Sequence, residues 1–348
     1  MIQDYSIYIQ RCIQLAAQAL GNTAPNPLVG CVIVHQDKII GEGFHKKYGG
    51  FHAEVNAINA VKDKALLPKS SLFVNLEPCA HYGKTPPCAD LIIQMQIPKV
   101  IIGHTDPYAE VCGKGIEKLK NAHIDVVTGV LANECRELNK RFLTYHEKKR
   151  PYIILKWAQT KDGFISPLNK EIGHPYWISS EFQRIYAHKL RTEEQAIMIG
   201  TNTALADNPR LTSRLWEGKN PLRIILDNKL RLPQNLHVFD DTVPTLVFTS
   251  DTNNHFPSLK LTEFVKINFN GSVEKQICNV LYEKGIQSVL VEGGHVLLQR
   301  FINAGLWDEA YVFKGDQEFK QGVKAPIISG EIYEDLNSGI DGLTIFKK

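Results

Sequence analysis

Glu77-Pro78-Cys79-Ala80-His81-Tyr82-Gly83-Lys84-Thr85-Pro86-Pro87-Cys88, read with His52-Ala53-Glu54 upstream, is the stretch around which this chain is organised. One histidine and two cysteines make three protein ligands for a zinc ion, one short of the closed tetrahedron of a structural site, which leaves a position for water. Glu54, two residues after His52, suits a proton carrier better than a fourth ligand. His52-Ala53-Glu54 opens an apolar helical run, Ala53 to Val61, and Pro78-Cys79 directly follows a strand-like run, Ser71 to Leu76. Residues two apart do not share a face inside a helix, but His52 and Glu54 can converge at its first turn. Cys79 and Cys88 bracket a loop that leads into the helical run Ala89 to Met95, and a helix start favours thiolate over thiol.

A His/Cys/Cys metal with a non-ligand glutamate is the zinc deaminase signature, which carries two residues between its cysteines. Here there are eight. Two other readings compete. A closed structural zinc would take His81 as fourth ligand. A nucleic-acid base deaminase would be expected to show the two-residue spacing and a basic face. A formal charge of +3 over 348 residues gives that face no support.

That length accommodates two domains with separate cores, and 43% apolar with 22% charged residues describes a soluble globular protein. No apolar run is long enough to span a bilayer, and Met1 to Leu20 reads as an amphipathic helix, so a cytoplasmic location without membrane partners is expected. Seven cysteines, at 12, 31, 79, 88, 112, 135 and 278, argue for thiols and metal ligands over a disulfide frame.

Asp4 reads as the cap of a helix whose apolar positions run from Ile9 to Leu20, ended by Gly21. The prolines at 25 and 27 predict an extended Pro25 to Gly30, with Asn26 facing a ligand or simply making a turn. A hairpin follows at Cys31 to His35 and Ile39 to Gly43. Strand Val100 to Gly103, helix Lys114 to Lys120, strand Asp125 to Thr128 and helix Leu131 to Phe142 complete an alternating α/β pattern. The polar, basic run Tyr145 to Pro151 marks a domain boundary. Beyond it come a buried strand, Tyr152 to Ala158, and a turn, Thr160 to Gly163. Ser180 and Gln183 form a capping box heading a helix through Leu190. Strands follow at Ala196 to Gly200, Leu222 to Leu226 and Leu246 to Thr249, then a helix, Val273 to Lys284. Strand Ser288 to Val291 empties into Gly293-Gly294 ahead of helix His295 to Ala304, a junction whose amides can cradle a phosphate. With no G-x-G-x-x-G and no P-loop, these residues by themselves reach only an α/β domain with a phosphate cradle.

Pro25-Asn26-Pro27, Gly49, His52-Ala53-Glu54, the run Glu77 to Cys88 and Asp106-Pro107 closely resemble the RibD family of bacterial riboflavin biosynthesis proteins. The resemblance continues through Lys156-Trp157-Ala158, Asp162-Gly163, Trp177-Ile178, Gly200, Asp207-Asn208-Pro209, Leu211-Thr212, Arg214 and Val291-Glu292-Gly293-Gly294, and weakens after Phe313. It implies an α/β protein of two domains. Residues 1–146 would be a cytidine-deaminase-like three-layer αβα domain and residues 150–348 a dihydrofolate-reductase-like α/β domain. The first would hydrolyse the ring amine of a diaminopyrimidinone carrying a phosphoribosylamino group, with Zn²⁺ on His52, Cys79 and Cys88. Glu54 would move the protons, and Asn26, His45, Lys84 and Asp106 would contact substrate. The second would reduce the ribosyl group to ribityl with NADPH. Cofactor contacts would come from Ala158, Trp177, Thr203, Asp207 and the segment Gly294, His295, Val296, Leu297, Leu298, Gln299 and Arg300. Substrate contacts would come from Arg191, Leu211, Arg214 and Glu292, the two arginines suiting its phosphate. The implied partner is this small pyrimidine ribosyl phosphate, not nucleic acid, in a homo-oligomer. One departure stands out: where the family has a serine two residues before its tryptophan, this chain has Pro175, which supplies no hydroxyl. A deaminase with a degenerate second half is therefore the alternative.

Overall fold

The computed structural model describes residues 4–80, 86–107, 113–170, 173, 176–251, 259–338 and 341–348. The chain divides into two compact units, Met1–Lys148 and Lys149–Lys348.

In the first unit the order is α1 (Ser6–Ala17), β1 (Gly30–His35), β2 (Lys38–Phe44), α2 (Ala53–Ala60), β3 (Ser71–Leu76), α3 (Cys88–Gln94), β4 (Lys99–His104), α4 (Lys114–Asn121), β5 (Asp125–Thr128), α5 (Ala132–Leu138) and α6 (Lys140–Lys148). The sheet runs β2-β1-β3-β4-β5. β1 is antiparallel to both its neighbours, and β3, β4 and β5 are parallel. Successive strand residues face opposite sides of a sheet, and this sequence uses both. Cys31, Ile33, Leu72, Val74, Val100 and Ile102 pack with α2, α3 and α4. Val32, Val34, Phe73 and Ile101 pack with α1 and α5. The result is three layers, helices on both faces of one sheet.

The second unit contains β6 (Tyr152–Gln159), β7 (Phe164–Pro167), α7 (Glu181–Glu193), β8 (Ala196–Gly200), α8 (Thr201–Asp207), β9 (Leu222–Leu226), β10 (Thr245–Thr249) and β11 (Thr262–Lys266). It goes on with α9 (Val273–Glu283), β12 (Ser288–Val291), α10 (His295–Asn303), β13 (Glu309–Lys314), β14 (Gly322–Lys324), β15 (Glu331–Ser338) and β16 (Asp341–Lys347). Its nine-stranded sheet runs β11-β10-β9-β8-β12-β6-β13-β16-β15. The strands from β11 to β13 are parallel, and β16 and β15 close the edge antiparallel. Alternation again divides the core: Ile153, Leu155 and Met198 pack with α9 and α10, while Ile154, Ile197 and Ile225 pack with Leu190 of α7 and Ala204 of α8.

Several sequence expectations change. Pro25 to Gly30 is not extended throughout: it begins in a turn that the Asn26 N–H closes onto the Thr23 carbonyl, 2.9 Å. The single helix expected over Leu131 to Phe142 is two, divided at Asn139. Asn139 is buried and brackets Leu28, accepting from its N–H (2.8 Å) and donating to its carbonyl (2.9 Å). The helix that breaks there fixes the segment following Asn26. The polar run expected as a boundary is helical as far as Lys148. Asp4 accepts from the Ser6 N–H at 3.0 Å, one residue ahead of the helix N-cap. Helix α8 and strands β11, β13, β15 and β16 carried no signal strong enough to read. The Ser180/Gln183 capping box is present with both of its bonds.

Candidate active sites

In the first unit, His52 ends the loop after β2 in extended backbone and caps α2, with Glu54 in that helix's first turn. Cys79 follows β3, and Cys88 is the first residue of α3, its N–H donating to the Cys79 sulfur at 3.3 Å. His52 Nδ1 lies 3.2 Å from Cys88 Sγ and 3.6 Å from Cys79 Sγ. All three ligand atoms fall within 4.8 Å of one another.

The electrostatics suit a cation. Contact with Cys88, then with His52, holds the Cys79 thiol well below its ordinary range, and the Cys79 contact and burial push Cys88 up. Cys79 also pulls the His52 pKa up. One imidazole and two close thiols, one of them ready to ionise, fit a zinc ion with three protein ligands. Glu54 is buried, and burial followed by the nearby Cys79 raises its pKa above the usual carboxylate range. A carboxyl whose pKa is raised is better matched to both taking and giving a proton.

His45 and Asn26 stand beside this group. The His45 ring meets that of His52 edge-on, centroids 5.6 Å apart. His45 Nδ1 is 3.0 Å from the Phe51 carbonyl, which only accepts, so this nitrogen carries the hydrogen. Burial lowers the His45 pKa, leaving Nε2 to accept from Asn26 Nδ2 at 3.1 Å. Asp106, after β4, is buried. Lys84 and the rival ligand His81 lie outside the described residues, as does Pro175.

The second unit gathers a charged cluster. Arg191 on α7 grips Glu292, just past β12, through Nε and Nη2, both 2.8 Å, and donates from Nη1 to the Thr212 carbonyl at 3.1 Å. Lys156 Nζ is 3.9 Å from the same carboxylate. Burial works against the charge on Glu292, yet Arg191 and Lys156 hold its pKa down at about 2. Burial lowers the Lys156 pKa. His188 is pushed to about 4 by burial and by Arg191 and Arg214. Burial and the neighbouring Arg191 also lower the Arg214 pKa. Two cations against one carboxylate, with Arg214 beside Arg191, leave an excess suited to a phosphate. Leu211 is buried beside this cluster's Thr212, at φ +56°. The sequence reading gave Lys156 and His188 no role. A lysine within the apolar strand Tyr152 to Ala158 was the available signal for the first; His188, three residues before Arg191 on a helix, was the signal for the second.

Gly294 caps α10, whose first turn holds no acidic residue, and its N–H donates to Thr203 Oγ1 at 2.9 Å. Free amides at a glycine-preceded helix start fit the pyrophosphate of a dinucleotide. Ala158 lies in β6 and Trp177 is half-exposed, with the Arg184 guanidinium 5.1 Å from its ring centre. Not all of the expected segment faces outward. Leu297 and Leu298 are in the core, Gln299 bonds Asn303 and Ile327, and Arg300 pairs with Glu274. His295 Nδ1 meets the Lys324 carbonyl at 3.0 Å, and Val296 is exposed. Asp207 is ion-paired with Lys170.

Residues 2–104 match the family described as the cytidine and deoxycytidylate deaminase zinc-binding region, and residues 151–315 match the RibD C-terminal domain. The riboflavin biosynthesis protein RibD of Aquifex aeolicus is 41% identical, over 91% of this chain and 88% of its own length. That of Bacillus amyloliquefaciens is 40% identical, over 94% and 89%. Among solved structures, a diaminohydroxyphosphoribosylaminopyrimidine deaminase/5-amino-6-(5-phosphoribosylamino)uracil reductase from Thermotoga maritima superposes with a TM-score of 0.90 at 37% identity, covering 99% of this chain and 98% of that one. A RibD of Acinetobacter baumannii gives 0.87 at 30% identity, with 98% of each chain covered.

Proposed function

The chain belongs to the RibD family of riboflavin biosynthesis proteins, zinc-dependent deaminases and reductases in one polypeptide, and from that premise we propose which residues carry each half-reaction. The unit ending at Lys148 deaminates the 2,5-diaminopyrimidinone bearing a phosphoribosylamino group. The unit after it reduces the ribosyl group of the resulting 5-amino-6-(5-phosphoribosylamino)uracil to ribityl. The observation that carries the reading is His52 Nδ1, at the head of α2, facing the thiols of Cys88, at the head of α3, and of Cys79 in the loop after β3, next to a buried glutamate of raised pKa.

His52, Cys79 and Cys88 would hold the zinc, which when bound would supply the Lewis acidity for a nucleophilic water. Glu54 would accept the proton of the attacking water. It would then deliver that proton to the ring nitrogen beside the amine-bearing carbon, take the second proton from the added hydroxyl as its oxygen becomes the carbonyl, and pass it to the amine, which leaves as ammonia. Neutral His45, fixed by Phe51, presents the Asn26 amide to the substrate, and Asp106 and Lys84 make the remaining contacts. In the second unit, bound NADPH would supply a hydride, and Thr203 with the helix-start amides that follow Gly294 would hold its pyrophosphate. Ala158, Trp177 and Asp207 are further cofactor contacts. Arg191 is already engaged by Glu292, which favours Arg214 as the main grip on the substrate phosphate, with Arg191 orienting the Glu292 carboxylate toward the sugar hydroxyls. Leu211 lines the same place. The protein works in the cytoplasm on a small molecule, as a homo-oligomer. No helix among the described residues is long and apolar enough to cross a membrane.

The test supplies the diaminopyrimidinone phosphate with and without NADPH, and follows ammonia and cofactor absorbance separately. Ammonia should appear in both reactions and NADPH should be consumed only as deaminated product forms. Absence of ammonia would sink the first assignment; ammonia without NADPH oxidation would make the second unit degenerate.

A further inference from the structure

We propose that Glu77 is a positioning residue for deamination, a single carboxylate that fixes Cys79 and Asp106 relative to each other. Glu77 follows β3, two residues before Cys79, and is buried. Its Oε2 accepts from the N–H groups of Asp106 (3.3 Å) and Gly113 (3.0 Å). Its Oε1 accepts from those of Gly115 (3.0 Å) and Ile116 (3.2 Å). Its own N–H donates to the His104 carbonyl at 2.9 Å, tying it to the end of β4.

Four donors fill the acceptor positions of two carboxylate oxygens. They come from two places: the segment that carries Asp106, and the start of α4, whose N-cap Gly113 offers no side-chain cap. Glu77 thus supplies that helix with the cap and the negative charge its N-terminus favours. Gly115 brings the helix tight against the loop, since a Cβ there would stand 2.0 Å from the Pro78 carbonyl oxygen and 3.2 Å from Glu77 Oε1. The residue between Glu77 and Cys79 is therefore pressed by the same helix that Glu77 caps. Glutamine cannot replace the clamp: it has one acceptor oxygen, and its NH₂ would face N–H donors.

The inference rests on the reading of Cys79 as metal ligand and Asp106 as substrate contact. The experiment uses the full-length zinc enzyme carrying Glu77→Gln, with Gly115→Ala as a second variant that keeps the carboxylate but pushes α4 away. Three quantities are measured: zinc retention against a chelator, KM for deamination, and NADPH oxidation on the deaminated intermediate. In both variants we expect zinc to be lost about 10–100-fold more readily and KM to rise severalfold. Reduction should be unchanged, which shows that the second unit is intact. A role confined to stability would lower the amount of folded enzyme but leave zinc retention and KM of the folded fraction at wild-type values, and that result overturns the proposal. Asp106→Asn separates the two layers of inference. If it leaves KM unchanged, the substrate contact is wrong, and zinc retention in Glu77→Gln alone decides whether Glu77 positions Cys79.

Discussion

On the proposed mechanism Glu54 is the side chain on which deamination depends most directly, because burial raises its pKa, which favours a carboxyl that serves as base and then acid. Glu54→Gln keeps the size and removes the proton traffic. It should retain zinc and lose about 10²–10⁴-fold in ammonia release, measured on metal-loaded protein. The cluster around Glu292 makes a prediction of the opposite kind. Glu292→Gln strands Arg191 and Lys156, whose side chains are only 12% and 13% exposed, and should destabilise the second unit by about 3–5 kcal/mol. Urea unfolding followed by tryptophan fluorescence reads this directly, since Trp157, Trp177, Trp216 and Trp307 all lie in that unit. The same cluster sets a pH dependence. His188, at about 4 instead of 6.5, is neutral in the fold and gains a proton on unfolding below 6.5. Its contribution is complete above pH 6.5 and is lost as pH falls toward 4. Glu292, at about 2 instead of 4.5, contributes fully above 4.5 and less as pH falls toward 2. The urea midpoint should therefore drop through both windows on acidification, and His188→Gln should abolish the upper one. The grouping of His52, Cys79 and Cys88 was legible because zinc chemistry restricts residue types and spacing. Glu77 was not, because its partners are backbone N–H groups about 30 to 40 residues away, and amides leave no mark on a sequence.

Helix starts place most of the candidate chemistry: His52 caps α2, Cys88 opens α3, Gly294 caps α10. These junctions were readable because capping residues and the switch from period-two to helical spacing are local signals. The Asn139 break was not, because nothing near it in sequence announces that its amide reaches back to Leu28. Asn75 adds a second hold, accepting from Gly30 N–H at 2.7 Å and donating to the Leu28 carbonyl at 3.0 Å. Asn139→Ala leaves the Leu28 N–H buried without its acceptor and should cost about 1–3 kcal/mol. It should also raise KM for deamination by loosening Asn26, a split that denaturation and steady-state kinetics together resolve. Helix α8 and β11 escaped reading for a different reason. Thr201-Asn202-Thr203 favours turns by composition, and β11 has only partly buried apolar positions.

At the scale of the molecule, each unit closes its own core on both faces of its own sheet. Chains cut to 1–148 and 149–348 should each fold. The first should release ammonia without NADPH, and the second should oxidise NADPH when given deaminated intermediate. An inactive, unfolded fragment in either case would show that the division is geometric only. The sequence offered a polar run and a proline as a boundary signal, but no sign of the order of the nine strands, which is a matter of distant pairing. That order has a consequence for synthesis. β6 is made first in its unit yet lies between β12 and β13, pairing Tyr152 with Ser288 and Ile154 with Glu309. While the ribosome is still translating those residues, the opening unit already has every strand it needs, whereas its neighbour holds a bare apolar ribbon with vacant edges on both sides. Chaperone demand and aggregation during translation should thus centre on nascent chains stalled between about residues 160 and 310.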